Sequence, residues 1–284
     1  MINKPIFIVG VPHSGTSWLG RVLAKHPKVI DRSETNYVWM WGNAWKSNDV
    51  LLSDDVTSEI RKHIEHRITQ HFRVDSEHRY CDKTPRNCLR IPFIYELFPD
   101  AKIVFVIRDG RAVLRSIQRQ NVNPTNQVMK KEVLYRLQNV PWEDLYMYLP
   151  RVKWIARRLM GKPLDYWGAR PPGWQEWLER YSHSIVIAKQ WAESTRIARR
   201  EGNKLPSDNY LEVRYEDLVN NPATGVDKVM RFLELDGYSS VLDYASQSAD
   251  PERVERWRTS LQDDLISEVK PFIEPVLSEL GYAW

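Results

Sequence analysis

The chain opens on an apolar run, Ile6-Phe7-Ile8-Val9, that stops at Gly10. A short apolar run bounded by turn residues predicts a strand over Ile6–Val9. Val11–Ser14 then lead to Gly15, and from Ser17 to about Lys25 the apolar positions Leu19, Val22 and Leu23 share one helical face, ended by Pro27. Val29-Ile30 reads as a short second strand running into a polar turn, Asp31–Thr35. Helical periodicity spans Val56–Phe72, Ile91–Phe98, Gly110–Gln120, Pro222–Leu235 and Asp263–Leu280, the last closed by Gly281. Arg79–Asp82 and Tyr210–Val213 read as further strands. Ala101–Ile107 is apolar throughout, as a strand buried on both faces of a parallel sheet must be. Strands alternating with helices predict an α/β fold: a central, mostly parallel sheet flanked by helices.

Between Asn121 and Glu179 this rhythm breaks. The stretch carries Trp142, Trp154, Trp167, Trp174 and Trp177, four tyrosines, and a Pro171-Pro172-Gly173 turn. It is expected to be a mainly helical insertion or cap within one domain spanning the whole chain. Its aromatics allow three readings: an acceptor-stacking surface, a homodimer interface, or the insertion's own core. Residues 129–181 also hold ten Lys/Arg against six Asp/Glu.

Composition narrows the classes. A chain of 284 residues with 42% hydrophobic positions can bury one large core. The net charge of +4 gives no support for nucleic-acid binding. Two cysteines, Cys81 and Cys88, are too few for a disulfide framework. No apolar run approaches the ~20 residues of a membrane span. The first strand starts by Pro5, leaving no room for a leader, so a cytoplasmic location is the expectation.

The candidate chemistry begins at the first loop. A strand, a glycine-bounded loop and a helix start aim backbone N–H groups at an anion, and the helix N-terminus adds about half a positive charge. The stretch from Gly10 through Pro12, His13, Ser14 and Gly15 to Thr16 and Ser17 nearly matches the nucleotide P-loop G-x-x-x-x-G-K-[ST]. Thr16 stands where that motif has its lysine, which argues against ATP or GTP and for another phosphate ester. A second element follows the apolar strand: Arg108 leaves its carboxyl end, and Ser116 lies eight residues on. Open α/β sheets bind ligands at that edge. Arg108 either reads a phosphate bidentately or closes the turn by pairing with Asp109.

Taken together, the two elements resemble the sulfotransferases that use 3′-phosphoadenylyl sulfate (PAPS). The resemblance runs from Ile6 to about Leu235, outside the aromatic insertion, and implies a P-loop NTPase-like fold. It implies that Val11–Ser17 binds the 5′-phosphosulfate, that Arg108 and Ser116 bind the 3′-phosphate, and that Trp18 stacks on adenine. Tyr210–Leu218 resembles a further strand and turn of the family, mainly structural. Members of the cytosolic group place a histidine after a Lys-Thr pair, which Lys83-Thr84-Pro85 lacks. Tyrosylprotein and several glycan sulfotransferases place a glutamate in the turn after the second strand, and Ser33-Glu34-Thr35 fits. Glu34 is therefore the expected base and Lys83 the cation on the sulfonate, with no metal required.

Two departures stand out. The family has Lys or Arg where this chain has His13, whose imidazole, titrating near ~6.5 in isolation, would serve as cation or acid. The family's Arg-Lys-Gly loop is replaced by Glu252–Arg258, where Arg256 and Arg258 are the candidate substitutes. Trp39, Trp41 and Trp45 follow Glu34 and are expected to line the acceptor pocket. The expected reaction is sulfonate transfer from PAPS to a hydroxyl, less readily an amine, of a glycan or other bulky small molecule, releasing adenosine 3′,5′-bisphosphate. The rivals are a P-loop kinase and a non-catalytic nucleotide- or glycan-binding protein.

Overall fold

A computed structural model describes residues 2–122 and 168–284. Five strands form one parallel sheet in the order β2-β3-β1-β4-β5: β1 Ile6–Gly10, β2 Val29–Ser33, β3 Arg79–Lys83, β4 Lys102–Ile107 and β5 Tyr210–Arg214. β1 lies between β3 and β4, with Ile8 in register with both Lys83 and Val104. Every residue of β1 and β4 is buried, as the apolar runs predict.

The period-two alternation of β1 divides the core. Phe7 and Val9 face one apolar cluster with helices α4 (Ile91–Leu97), α5 (Gly110–Val122), α7 (His183–Gly202) and α12 (Asp263–Glu279). Ile6 and Ile8 face the other, with α1 (Thr16–Leu23), α9 (Pro222–Phe232) and α10 (Ser239–Ser248). Helices thus cover both sheet faces, and all parallel strands end at one edge, where the β1–α1 loop, Glu34, Lys83 and Arg108 follow.

Several boundaries differ from expectation. β2 continues through Asp31–Ser33 because these residues pair in register with Cys81–Lys83 of β3, so the turn shrinks to Glu34-Thr35. The helix expected over Val56–Phe72 is split: Thr57 caps α3 (Ser58–His66) by accepting from the Ile60 amide, and Arg67–His71 widens into a π-helical turn. The 20-residue α7 breaks no sequence rule, but its buried face includes Gln190, Ser194 and Thr195, which blunts the apolar stripe. Its Ser182 N-cap, accepting from Ile185 N–H, was the legible signal. Most of the aromatic insertion, residues 123–167, lies outside the described residues. Within its described end, α6 (Trp174–Arg180) buries Trp174, whose indole donates to the Ser47 carbonyl at 2.8 Å.

Candidate active site

The loop after β1 is shaped by two left-handed residues. His13 has φ 71° and Gly15 has φ 99°, and a turn bond from Ser14 N–H to the Val11 carbonyl closes the loop at 3.0 Å. Gly15 has no room for a side chain, because an added Cβ would sit 2.1 Å from Tyr215 Cδ2. Gly10 is equally confined, at 2.8 Å from the Val106 carbonyl oxygen. Ser14 is buried and its Oγ has no hydrogen-bond partner among the described residues, so a donor points into the loop unused. Thr16 is the first residue of α1 and buried, whereas Ser17 is exposed. Pro12 is buried beside Gly168, within the described end of the insertion.

Arg108 closes over this loop. Its Nη1 donates to the His13 carbonyl at 2.9 Å and its Nη2 to the Arg253 carbonyl at 3.1 Å. Its guanidinium lies 4.4 Å from the centroid of the Tyr215 ring that fills the space above Gly15. Arg108 does not pair with Asp109, which is held by Arg111 at 2.7 Å, so the salt-bridge reading of the turn belongs to Arg111. Two of Arg108's five N–H groups are used, and its buried Nε has no partner among the described residues. Burial lowers its pKa below the usual arginine range. Ser116 Oγ lies 2.9 Å from His13 Nδ1, so the loop, Arg108 and Ser116 converge on one place.

The second half of the site lies at the ends of β2 and β3. Glu34 occupies a left-handed conformation, φ 61°, and its amide donates to the Lys83 carbonyl at 3.0 Å. Lys83 Nζ donates to Glu34 Oε1 at 2.6 Å. The lysine side chain is 7% exposed and the glutamate 58%, so the cation is buried and the carboxylate faces outward. Lys83 is thus no surface lysine. It lies on the strand beside β1, its side chain packing against Gly20 of α1.

Other expected site residues are placed differently. Trp18 is 8% exposed, packed in the α1–α10 cluster with its indole donating to Ser248 Oγ at 3.1 Å. Trp39 is fully buried and bonded to Thr35 and Asp82, so it is core and not acceptor lining. Trp41 stacks on His63 at 4.1 Å, while Trp45 is among the exposed large hydrophobics. Arg256 pairs with Asp250 and Glu252 on the segment whose Arg253 carbonyl holds Arg108. Arg258 pairs with Glu255 and lies over Trp257, tied to its own turn. Tyr215 is the contributor that sequence reasoning assigned only to structure. Its signal was an aromatic placed directly after a sheet-edge strand.

A surplus of cations also surrounds Asp49. Burial alone would raise its pKa, but Arg170, Arg86 and Arg90 hold it far below the usual carboxylate range. Arg170 Nη2 bonds it at 2.7 Å and ties the chain leaving the insertion to the segment after α2 (Asn36–Trp39).

Comparison with known proteins agrees with this architecture. The family described as "Sulfotransferase family" matches residues 5–151 and 163–240. Protein-tyrosine sulfotransferase A of Caenorhabditis elegans is 25% identical over 98% of this chain and 67% of its own length. The protein-tyrosine sulfotransferase of Drosophila melanogaster is 23% identical over 98% of this chain, which spans only 51% of that relative. Among solved structures, a sulfotransferase domain from the curacin biosynthetic pathway superposes with a TM-score of 0.60 at 15% identity, covering 99% and 98% of the two chains. A match to the family over most of its length, on a parallel sheet carrying the expected loop, means that this chain belongs to the sulfotransferase family.

Proposed function

We propose that the protein transfers a sulfonate group from PAPS to an acceptor hydroxyl. The observation that carries the reading is the Glu34–Lys83 pair, 2.6 Å apart, set at the sheet edge beside a loop that Arg108 clamps. The unused donors at Ser14 Oγ and Arg108 Nε suit an anionic donor. Relatives along the whole chain are named for protein tyrosine, so a tyrosyl hydroxyl is the acceptor class favoured over a glycan.

In this reading Glu34, the exposed partner, takes the acceptor proton as the oxygen attacks sulfur. The new O–S bond forms as the bond from sulfur to the phosphate oxygen breaks, and the electron pair leaves with adenosine 3′,5′-bisphosphate. Lys83 holds charge on the transferring group, the loop amides stabilise the departing phosphate, and His13 lies at the same loop. Arg108 and Ser116 hold the 3′-phosphate.

The test is a thermal-shift titration with adenosine 3′,5′-bisphosphate, 5′-AMP and ATP·Mg, since a native-state ligand stabilises by RT ln(1 + [L]/Kd). A shift with the bisphosphate alone supports the donor site. A shift with ATP·Mg alone would overturn it in favour of phosphotransfer.

A further inference from the structure

Asp82 precedes Lys83 on β3, and its carboxylate is wholly buried. It collects donors from several side chains, the Thr84 hydroxyl among them. Thr35 Oγ1 and Trp39 Nε1, the latter at 3.0 Å, reach its Oδ2 from the turn after β2. Tyr80 OH reaches the same oxygen at 3.2 Å, and Asn87 Nδ2 reaches Oδ1 at 3.2 Å. Among the described residues, no lysine or arginine hydrogen-bonds to it. The ionisable groups around it are Tyr80 and Cys81 on its own strand, Arg32, its register partner on β2, whose guanidinium is spent on the Asp31 and Phe72 carbonyls, and the Glu34–Lys83 pair at the sheet edge. Burial raises its pKa to about 6, opposed by its donors.

The geometry of the neighbouring turn explains why such a group is worth its desolvation. Glu34 is held in a left-handed backbone conformation that a non-glycine residue adopts only when its surroundings impose it. What imposes it is the residue after it. The Thr35 amide bonds Thr84 Oγ1 at 3.1 Å, and the Thr35 hydroxyl bonds Asp82. Trp39 reaches both Thr35 Oγ1 and Asp82, so α2 is drawn onto the same carboxylate.

We infer that Asp82 is a positioning residue for sulfonate transfer: by anchoring Thr35 and Trp39 it fixes Glu34 against Lys83. The inference rests on the function proposed above. Asp82 touches no reacting group, since the Glu34 and Lys83 side chains meet on the other side of the turn. Its effect passes through Thr35 and through its own place one residue before Lys83.

Two substitutions separate this role from simple stability. Asp82→Asn keeps the shape but turns one acceptor into a donor. Placed at Oδ2, the amide NH2 loses the Trp39 donor, although the Thr35 and Tyr80 hydroxyls can turn to accept from it; placed at Oδ1, it loses the Asn87 Nδ2 donor. Thr35→Val keeps the shape of the turn residue and removes the hydroxyl alone. Both variants are compared with wild type by transfer from labelled PAPS to a tyrosyl peptide. Rates are expressed per bisphosphate-binding site, with amide hydrogen exchange at Glu34 and Thr35 read alongside. The expected result is a kcat about 10- to 100-fold lower, as a ~1 Å misplacement produces, with donor KM and bisphosphate Kd unchanged. Faster exchange at Glu34 and Thr35, with β1 amides unaffected, accompanies it.

An unchanged kcat per site with unchanged exchange in Thr35→Val would overturn the inference, even if Asp82→Asn fails to fold. Should the wild-type protein bind the bisphosphate yet modify no peptide, exchange at Glu34 still decides whether Asp82 fixes the turn. Failure of the wild type to bind the bisphosphate would instead remove the sulfotransfer reading.

Discussion

Replacing Gly15 with alanine tests the β1–α1 loop at its tightest point. Two costs add. At φ 99° an L-residue pays about 1–2 kcal/mol for the left-handed backbone. The new Cβ would also meet Tyr215 Cδ2 at 2.1 Å, well inside contact distance, and Tyr215 is only 4% exposed. Overpacking of that kind costs about 1–3 kcal/mol. The sum is about 2–5 kcal/mol. It falls on the loop, because the ring that must move also supports the Arg108 guanidinium at 4.4 Å. Gly237→Ala is the matched control: its φ is 71°, but no atom lies within 4 Å of an added Cβ. Urea denaturation of both variants, with bisphosphate affinity measured beside it, separates the costs. Gly15→Ala should lose clearly more stability than Gly237→Ala and should also lose bisphosphate binding. Equal losses, with binding intact in both, would refute the packing of loop, tyrosine and arginine.

Arg108→Gln removes a charged donor that bridges the His13 and Arg253 carbonyls, and should weaken bisphosphate binding about 10- to 100-fold. 5′-AMP, which lacks the 3′-phosphate, should be affected much less, and calorimetry of both ligands reads the difference. Asp49→Asn leaves Arg90 and Arg170 around a neutral amide and should cost about 3–5 kcal/mol in denaturant, as breaking a buried ion pair does. Asp82 gives a pH signature. Its folded pKa of about 6 lies above the unfolded value, so its contribution to stability is full below about pH 4 and is lost as pH rises to about 6. Wild type should therefore lose about 2 kcal/mol relative to Asp82→Asn between those pH values, measured by denaturation at each.

The sheet was legible because β1 and β4 are apolar throughout and bounded by turn residues, a pattern that only a strand buried on both faces needs. The shape of the loop after β1 was legible for a related reason: two glycines at fixed spacing record where a tyrosine and a carbonyl approach too closely for a side chain. Glu34 and Lys83 could be named as candidates, but their pairing depends on β2 and β3 being neighbours, and nothing local in the chain states that. The length of β2 was missed on the same ground, since Asp31–Ser33 become strand only by pairing with β3. Trp39 shows the opposite failure. Its position after Glu34 suggested a pocket wall, but an indole N–H can be buried when a carboxylate waits for it, and Asp82 lies 43 residues away in the sequence. Trp18 likewise spends its indole on Ser248, which is more than two hundred residues distant.

The most direct test of the proposed chemistry is single-turnover transfer from labelled PAPS to a tyrosyl peptide by wild type and Glu34→Gln. Glutamine keeps the size of the side chain and its bond to Lys83 but cannot take a proton. The expected outcome is a rate about 10²- to 10⁴-fold lower with bisphosphate affinity retained. Transfer by Glu34→Gln at the wild-type rate would contradict the assignment of Glu34 as the base.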